Sequence, residues 1–130
     1  MVDPSNLDPA HRRNRVRHEL MPLLDAIAER DVAAVLARQA DLVREDDDFL
    51  DELALAVDPT DARALAAAPP VLARRAVRRW LRDGPERHPP DRATVERVLA
   101  VARGGAVACE VGGGRSVRRS RGRLRVDGPR

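Results

Sequence analysis

The chain has 130 residues, 24 of them basic and 21 acidic, with a net charge of +3 and a hydrophobic share of 43%. That length holds one domain, or two small subdomains sharing a core. With no apolar run of 18 residues and no signal-peptide core, neither a membrane-spanning helix nor an export leader is expected, and a single cysteine, Cys109, excludes an internal disulfide, so a cytoplasmic, reducing setting is the default.

Alanine contributes 21 residues and only Phe49 and Trp80 are aromatic, so the core must come from Leu and Val on helices. All the basic residues are arginine, which reflects coding bias as much as binding, so their placement carries the information. Residues 1–30 carry 5 Arg against 5 acids, residues 31–66 carry 3 against 10, and residues 67–130 carry 16 against 6. An acidic middle therefore precedes a strongly basic C-terminal half, an asymmetry that suits a polyanionic partner.

In chain order, Asp8 and Pro9 are placed to cap and open a first helix, in which Val16, Leu20, Leu23, Leu24 and Ile27 form one stripe expected to be buried. Pro22 predicts a kink or short break near residues 18–21. Asp31 caps a long second helix with apolar residues on helical spacing from Val32 to Val57, roughly 40 Å long at 1.5 Å per residue. Its run Glu45, Asp46, Asp47, Asp48, Asp51 and Glu52 spreads around the helix without His or Cys and reads as a solvated face rather than a metal cluster.

The stretch from Pro59 to Pro70 is a short helix or linker, and Pro69-Pro70 opens a third strong helix closed by Gly84-Pro85. There Leu72, Ala73, Ala76, Val77, Trp80 and Leu81 fill one side, while Arg74, Arg75, Arg78, Arg79 and Arg82 share another. A fourth helix spans about residues 91–103, with Val95, Val98, Leu99 and Ala102 inward and Gly104-Gly105 as its stop. The period then changes to two. Val107, Cys109 and Val111 alternate, Gly112 to Gly114 and Gly122 mark turns, and three short antiparallel strands are expected. The fold class is thus mainly α with a small C-terminal β meander (α+β): about four helices, then about three strands.

The sequence VGGGRS at residues 111–116 superficially resembles the S-G-G-x-D-S loop of ATP pyrophosphatases, yet Arg115 stands where Asp is needed and no helix follows to hold phosphate; it reads as a hairpin turn. His11, His18 and His88 are too scattered for a metal site, Cys109 reads as a small core residue, and no catalytic acid, base or nucleophile stands out. The arginine face of the third helix, with Arg115, Arg118, Arg119, Arg121, Arg123 and Arg125 from the meander, favours RNA binding through phosphates. Near-absence of aromatic residues argues against reading single strands by stacking.

The opening segment, DPSNLDPAHRRNRVRHELMPLL, resembles D-x-S-N-x-D-x-x-[YF]-x-R-N-x-[IV]-R-x-x-[LV]-x-P-x-[LI], the segment that ends the catalytic domain of tRNA(Ile)-lysidine synthases. Asp3, Ser5, Asn6, Asp8, Arg13, Asn14, Val16, Arg17, Leu20, Pro22 and Leu24 match, and His11 replaces the aromatic residue. The later helices and meander are similar in pattern to that family's substrate-binding domain. The resemblance implies an ATP- and magnesium-dependent ligase that adenylates the wobble cytidine of a minor tRNA(Ile) and lets free lysine attack to form lysidine.

On this reading residues 1–30 are the end of the catalytic domain with its linker helix, and residues 31–130 are the tRNA-binding domain. Arg13 and Arg17 would hold phosphate, Asp3, Ser5, Asn6 and Asn14 would fix the loop and cap the helix, and Arg74, Arg75, Arg78, Arg79, Arg82, Arg118, Arg119 and Arg121 would contact tRNA. The S-G-G-x-D-S loop is absent from the sequence, so the chain is expected to be the C-terminal part of a longer enzyme, inactive alone and needing the N-terminal ATP domain as partner. A stand-alone RNA-binding adaptor and a structural helical interaction module remain the alternatives.

Overall fold

A computed structural model describes residues 9–82 and 89–128. The expected cap Asp8, the motif residues Asp3, Ser5 and Asn6, the helix stop at Gly84-Pro85, and His88 lie outside the described residues. The chain forms two compact units, residues 1–46 and 47–130.

In the first unit, α1 (Pro9–Arg15) runs into a π-helical turn (Val16–Leu20) and then α2 (Met21–Ala28). The interruption expected from Pro22 takes this form: the wider turn is closed by Met21 N–H donating to Val16 O, and Pro22, which has no N–H to give, falls in the first turn of α2. Glu29, with φ +49°, ends α2 in the left-handed region. Asp25 Oδ1 accepts from Val32 N at 2.8 Å, and Asp31 Oδ1 accepts from Ala34 N at 2.9 Å, capping α3 (Val32–Ala54).

The stripe expected to be buried is not: Val16, Leu20, Leu23 and Ile27 are exposed, and Leu24 is half-buried. Periodicity identifies an apolar face, whereas burial needs a second surface against it. On α3, Leu36, Leu42, Val43, Phe49 and Leu53 are exposed as well.

The second unit holds the core. After α3, Asp58 closes a tight turn by accepting from the N–H and the hydroxyl of Thr60, at 2.8 and 2.7 Å. Asp61 then caps α4 (Ala62–Ala67), accepting from Arg63 N and Ala64 N. The apolar side of α5 (Pro70–Arg82) buries Ala73, Ala76, Val77 and Leu81.

Asp91 caps α6 (Arg92–Ala102) by accepting from Thr94 N at 2.7 Å. This helix ends in a Schellman motif, with Gly105 N donating to Ala100 O and Gly104 N to Val101 O, while Gly104 takes the positive φ of +85° the motif requires. It is the centre of the fold, packing against α4, α5, β1 and β2 and burying Val95, Val98, Leu99, Val101 and Ala102.

The meander is β1 (Ala108–Gly112), β2 (Arg115–Ser120) and β3 (Arg123–Asp127), antiparallel in the order β1-β2-β3. A bulge between Glu110 and Gly112 leads into the glycine turn. Arg121 (φ +50°) and Gly122 (φ +77°) make the two-residue turn between β2 and β3, both left-handed as the twist of a hairpin demands. Val111, Val117 and Leu124 face the helices with Leu65, Val77 and Leu99 in one core, against which Cys109 packs half-buried. Burial raises the Cys109 thiol pKa. A bridge between Asp61 and Arg123 ties the start of α4 to the start of β3.

Candidate nucleic-acid interface

The arginine face of α5 exists, and its five side chains have different occupations. Arg75 is clamped from the end of α3: Nη1 bonds Asp51 Oδ1 at 2.6 Å and Nη2 bonds Asp47 Oδ1. These carboxylates, Asp47 first, raise its pKa further. Arg74 Nε donates to Glu96 Oε1 on α6 at 2.6 Å, which holds the Glu96 carboxyl below its ordinary pKa. Arg79 Nη2 donates to Ala54 O at 3.3 Å, at the C-terminal end of α3 where a cation complements the helix dipole.

Arg78 and Arg82 are exposed, and neither makes an ion pair or hydrogen bond with another described residue. All five guanidiniums line one groove of about 910 Å³ within the second unit, together with Arg92 and Val95 of α6 and Asp47, Asp48, Asp51 and Glu52 of α3. The acidic run expected to be a solvated face therefore has two members in ion pairs. The shared faces were visible in the sequence, Asp47 and Asp51 being four apart on one helix, as are Arg74 with Arg78 and Arg75 with Arg79, but the pairing between helices was not. Arg92 carried no such signal, because only the tertiary fold brings the start of α6 to this groove.

The meander divides its arginines in the same way. Arg119 Nη1 donates to Ala102 O at 3.0 Å, completing the end of α6, and Arg123 Nη1 donates to Asp58 Oδ2 at 2.8 Å. Asp58 is held below the ordinary carboxylate range, chiefly by the hydrogen bonds from Thr60 and also by Arg123. Arg115 is 8% exposed and its Nε has no hydrogen-bond partner among the described residues. Arg118, Arg121 and Arg125 are exposed; Arg118 lies 3.7 Å from Asp127 and directly across from Arg125 on β3.

In the first unit, Arg13 and Arg17 line a shallow pocket with Arg12, Val16 and Met21, while Arg15 turns to Glu19 at 3.1 Å. Asn14 is exposed on α1. His11 and His18 are exposed too, and among the described residues no group of His, Cys, Asp or Glu is placed to hold a metal ion. No helix among the described residues is long and apolar enough to cross a membrane. The glycines 112–114 form a strand-to-strand turn with φ of +92°, +61° and +71°, not the entrance to a helix, so they do not build a phosphate loop.

Residues 61–125, which begin at the cap of α4 and end within β3, match the profile of the TilS substrate binding domain. The chain is 41% identical to the tRNA(Ile)-lysidine synthase of Nocardia farcinica over 94% of its own length, and spans 42% of that relative. It is 43% identical to the enzyme of the same description from Rhodococcus erythropolis, over 63% of this chain and 27% of the relative, and 41% identical to that of Thermobifida fusca, over 59% and 26%. The part of its second unit from α4 into β3, with the arginine face of α5, thus falls within the profile of a substrate-binding domain, and the chain belongs to the tRNA(Ile)-lysidine synthase family.

Proposed function

We propose that this chain is the tRNA-binding part of a cytoplasmic tRNA(Ile)-lysidine synthase, which uses ATP and magnesium to join lysine to the wobble cytidine of a minor tRNA(Ile). The observation that carries the reading is that the substrate-binding profile, residues 61–125, includes α5 and α6, whose arginines line the groove. Residues 1–30 would end the catalytic domain and provide the linker helix, and residues 31–130 would receive tRNA. Arg78 and Arg82 on α5 and Arg118 and Arg121 on the meander are the arginines of the set best exposed to meet phosphates, whereas Arg74, Arg75, Arg79 and Arg119 are engaged by partners within the fold. Arg13 and Arg17 would meet a phosphate near the junction with the catalytic domain.

The residues described do not fit ATP. The glycine turn between β1 and β2 lacks both the acidic residue and the following helix, and no carboxylate cluster is placed for magnesium among the described residues. Activation of cytidine and attack by lysine therefore belong to the ATP-pyrophosphatase half, and this chain's work is to orient tRNA by phosphate contacts. Mixing the chain with that half, ATP, magnesium, radiolabelled lysine and a minor tRNA(Ile) transcript tests the proposal. Lysine incorporation with both halves and none with either alone is expected; no incorporation by the mixture, although the chain binds the tRNA, would contradict the assignment.

A further inference from the structure

Six guanidiniums line the groove between α3, α5 and α6, yet they are not equivalent. Arg75 already has two carboxylate partners, Arg74 has Glu96, and Arg79 is turned to the Ala54 carbonyl. For a phosphate to take Arg75 it must displace Asp47 and Asp51 and then lie beside them, along with Asp48 and Glu52 of the same wall. Like charges at such spacing repel, so this end of the groove disfavours a polyanion.

Arg78, Arg82 and Arg92 have a different situation. Arg78 and Arg82 are one helical turn apart on α5, and Arg92, the first residue of α6, lines the same groove. All three are exposed, and none makes a hydrogen bond or ion pair with a described residue; Arg92 only adds, after Arg74, to the lowering of the Glu96 pKa. Three guanidiniums with no hydrogen bond or ion pair among the described residues, on two elements, line one concavity, and their mutual repulsion falls when an anion sits among them.

We propose that Arg78, Arg82 and Arg92 form the phosphate seat of this groove, and that the carboxylates at the end of α3 confine the nucleic-acid backbone to it by occupying Arg75. The inference rests on the tRNA-binding reading and deepens it. The acidic wall acts as a boundary: it removes one arginine from competition and repels a backbone displaced toward α3, which fixes the register in which RNA lies on α5. Phosphate contacts of this kind set position and carry no base preference.

The test measures binding of a tRNA transcript to the full chain across a salt series, with circular dichroism as the check of folding. Arg78→Gln, Arg82→Gln and Arg92→Gln should each weaken binding by roughly tenfold at 0.1 M salt and flatten the salt slope by about one, the loss of one released counterion. The lysine variants at the same positions, which keep the charge, should retain the slope. Arg75→Gln should weaken binding clearly less than Arg78→Gln and leave the salt slope unchanged, because Arg75 holds no phosphate, and the double variant Asp47→Asn with Asp51→Asn should bind several-fold tighter with a slope steeper by about one, because Arg75 is freed. Equal losses at Arg75 and Arg78, or no gain in the double variant, would overturn the inference and leave tRNA binding standing. Absence of salt-dependent tRNA binding by the wild-type chain would overturn the tRNA-binding reading together with it.

Discussion

At the scale of single residues, the side chains of this protein that look most alike do the most different things. Arg123 of β3 pairs with Asp58 in the turn that precedes α4, Arg119 completes the end of α6, and Arg121 holds a left-handed backbone angle that a side chain with a β-carbon adopts at a cost. Arg121→Asn, which tolerates that angle, should raise thermal stability by about 1 kcal/mol; denaturant unfolding checks it, and a loss of stability would mean the arginine has a structural contact of its own. Three carboxylates report on acid sensitivity: Asp58 and Asp91, lowered first by Thr60 and Thr94, and Glu96, lowered first by Arg74. Each is bound more tightly as the anion in the folded chain than in the unfolded one, so each contributes stability fully present above the unfolded carboxylate pKa near 4 and lost as pH falls through the lower folded value. Urea midpoints should therefore be flat with respect to these groups from about pH 7 to 5 and decline below about pH 4. That an arginine lies at a given position is plain in the sequence; whether it is clamped depends on partners 22 to 65 residues away, as Arg74 with Glu96 and Arg123 with Asp58 illustrate.

Among the elements, glycines and the change of period made boundaries of the second unit legible: Gly104-Gly105 ends α6, and the alternation from Val107 announces the meander. The caps Asp61 and Asp91, one residue before their helices, are what the structure adds. Asp61→Ala should cost about 1 kcal/mol, since it leaves the N–H groups of Arg63 and Ala64 without their cap. Leu99, in the last turn of α6, is 1% exposed, and Leu99→Ala should cost about 2–5 kcal/mol by leaving a cavity; thermal unfolding of this single variant measures it, and a cost under about 1 kcal/mol would contradict the core described. Two features of the first unit were less legible. Pro22 announced an interruption, but its form as a π turn over Val16–Leu20 depends on how the backbone redistributes the bond proline cannot make. The stripe of Val16, Leu20, Leu23 and Ile27 was visible as a stripe, and its exposure was not, because a sequence gives the face of a helix and not the surface set against it.

For the molecule as a whole, the asymmetry of charge along the chain turns into a division of labour within the second unit. The acidic end of α3 and the basic face of α5 meet in one groove, so part of the positive charge is spent in ion pairs and the rest remains exposed. The order of helices followed by a meander was legible from periodicity, and the motif at the N-terminal end together with the basic helix pointed to the family that the substrate-binding profile and the Nocardia farcinica relative identify. Which arginines share a groove was not legible, because the approach of Arg92 to Arg78 and Arg82 is made by the packing of α6 on α5. The most direct test of the account is the affinity of the wild-type chain for a minor tRNA(Ile) transcript between 50 and 200 mM salt, on the order of the range where counterion release is resolved. Three phosphate contacts predict a log–log slope of about −2.7 or steeper; a slope near zero, or no binding at the low-salt end, would contradict it.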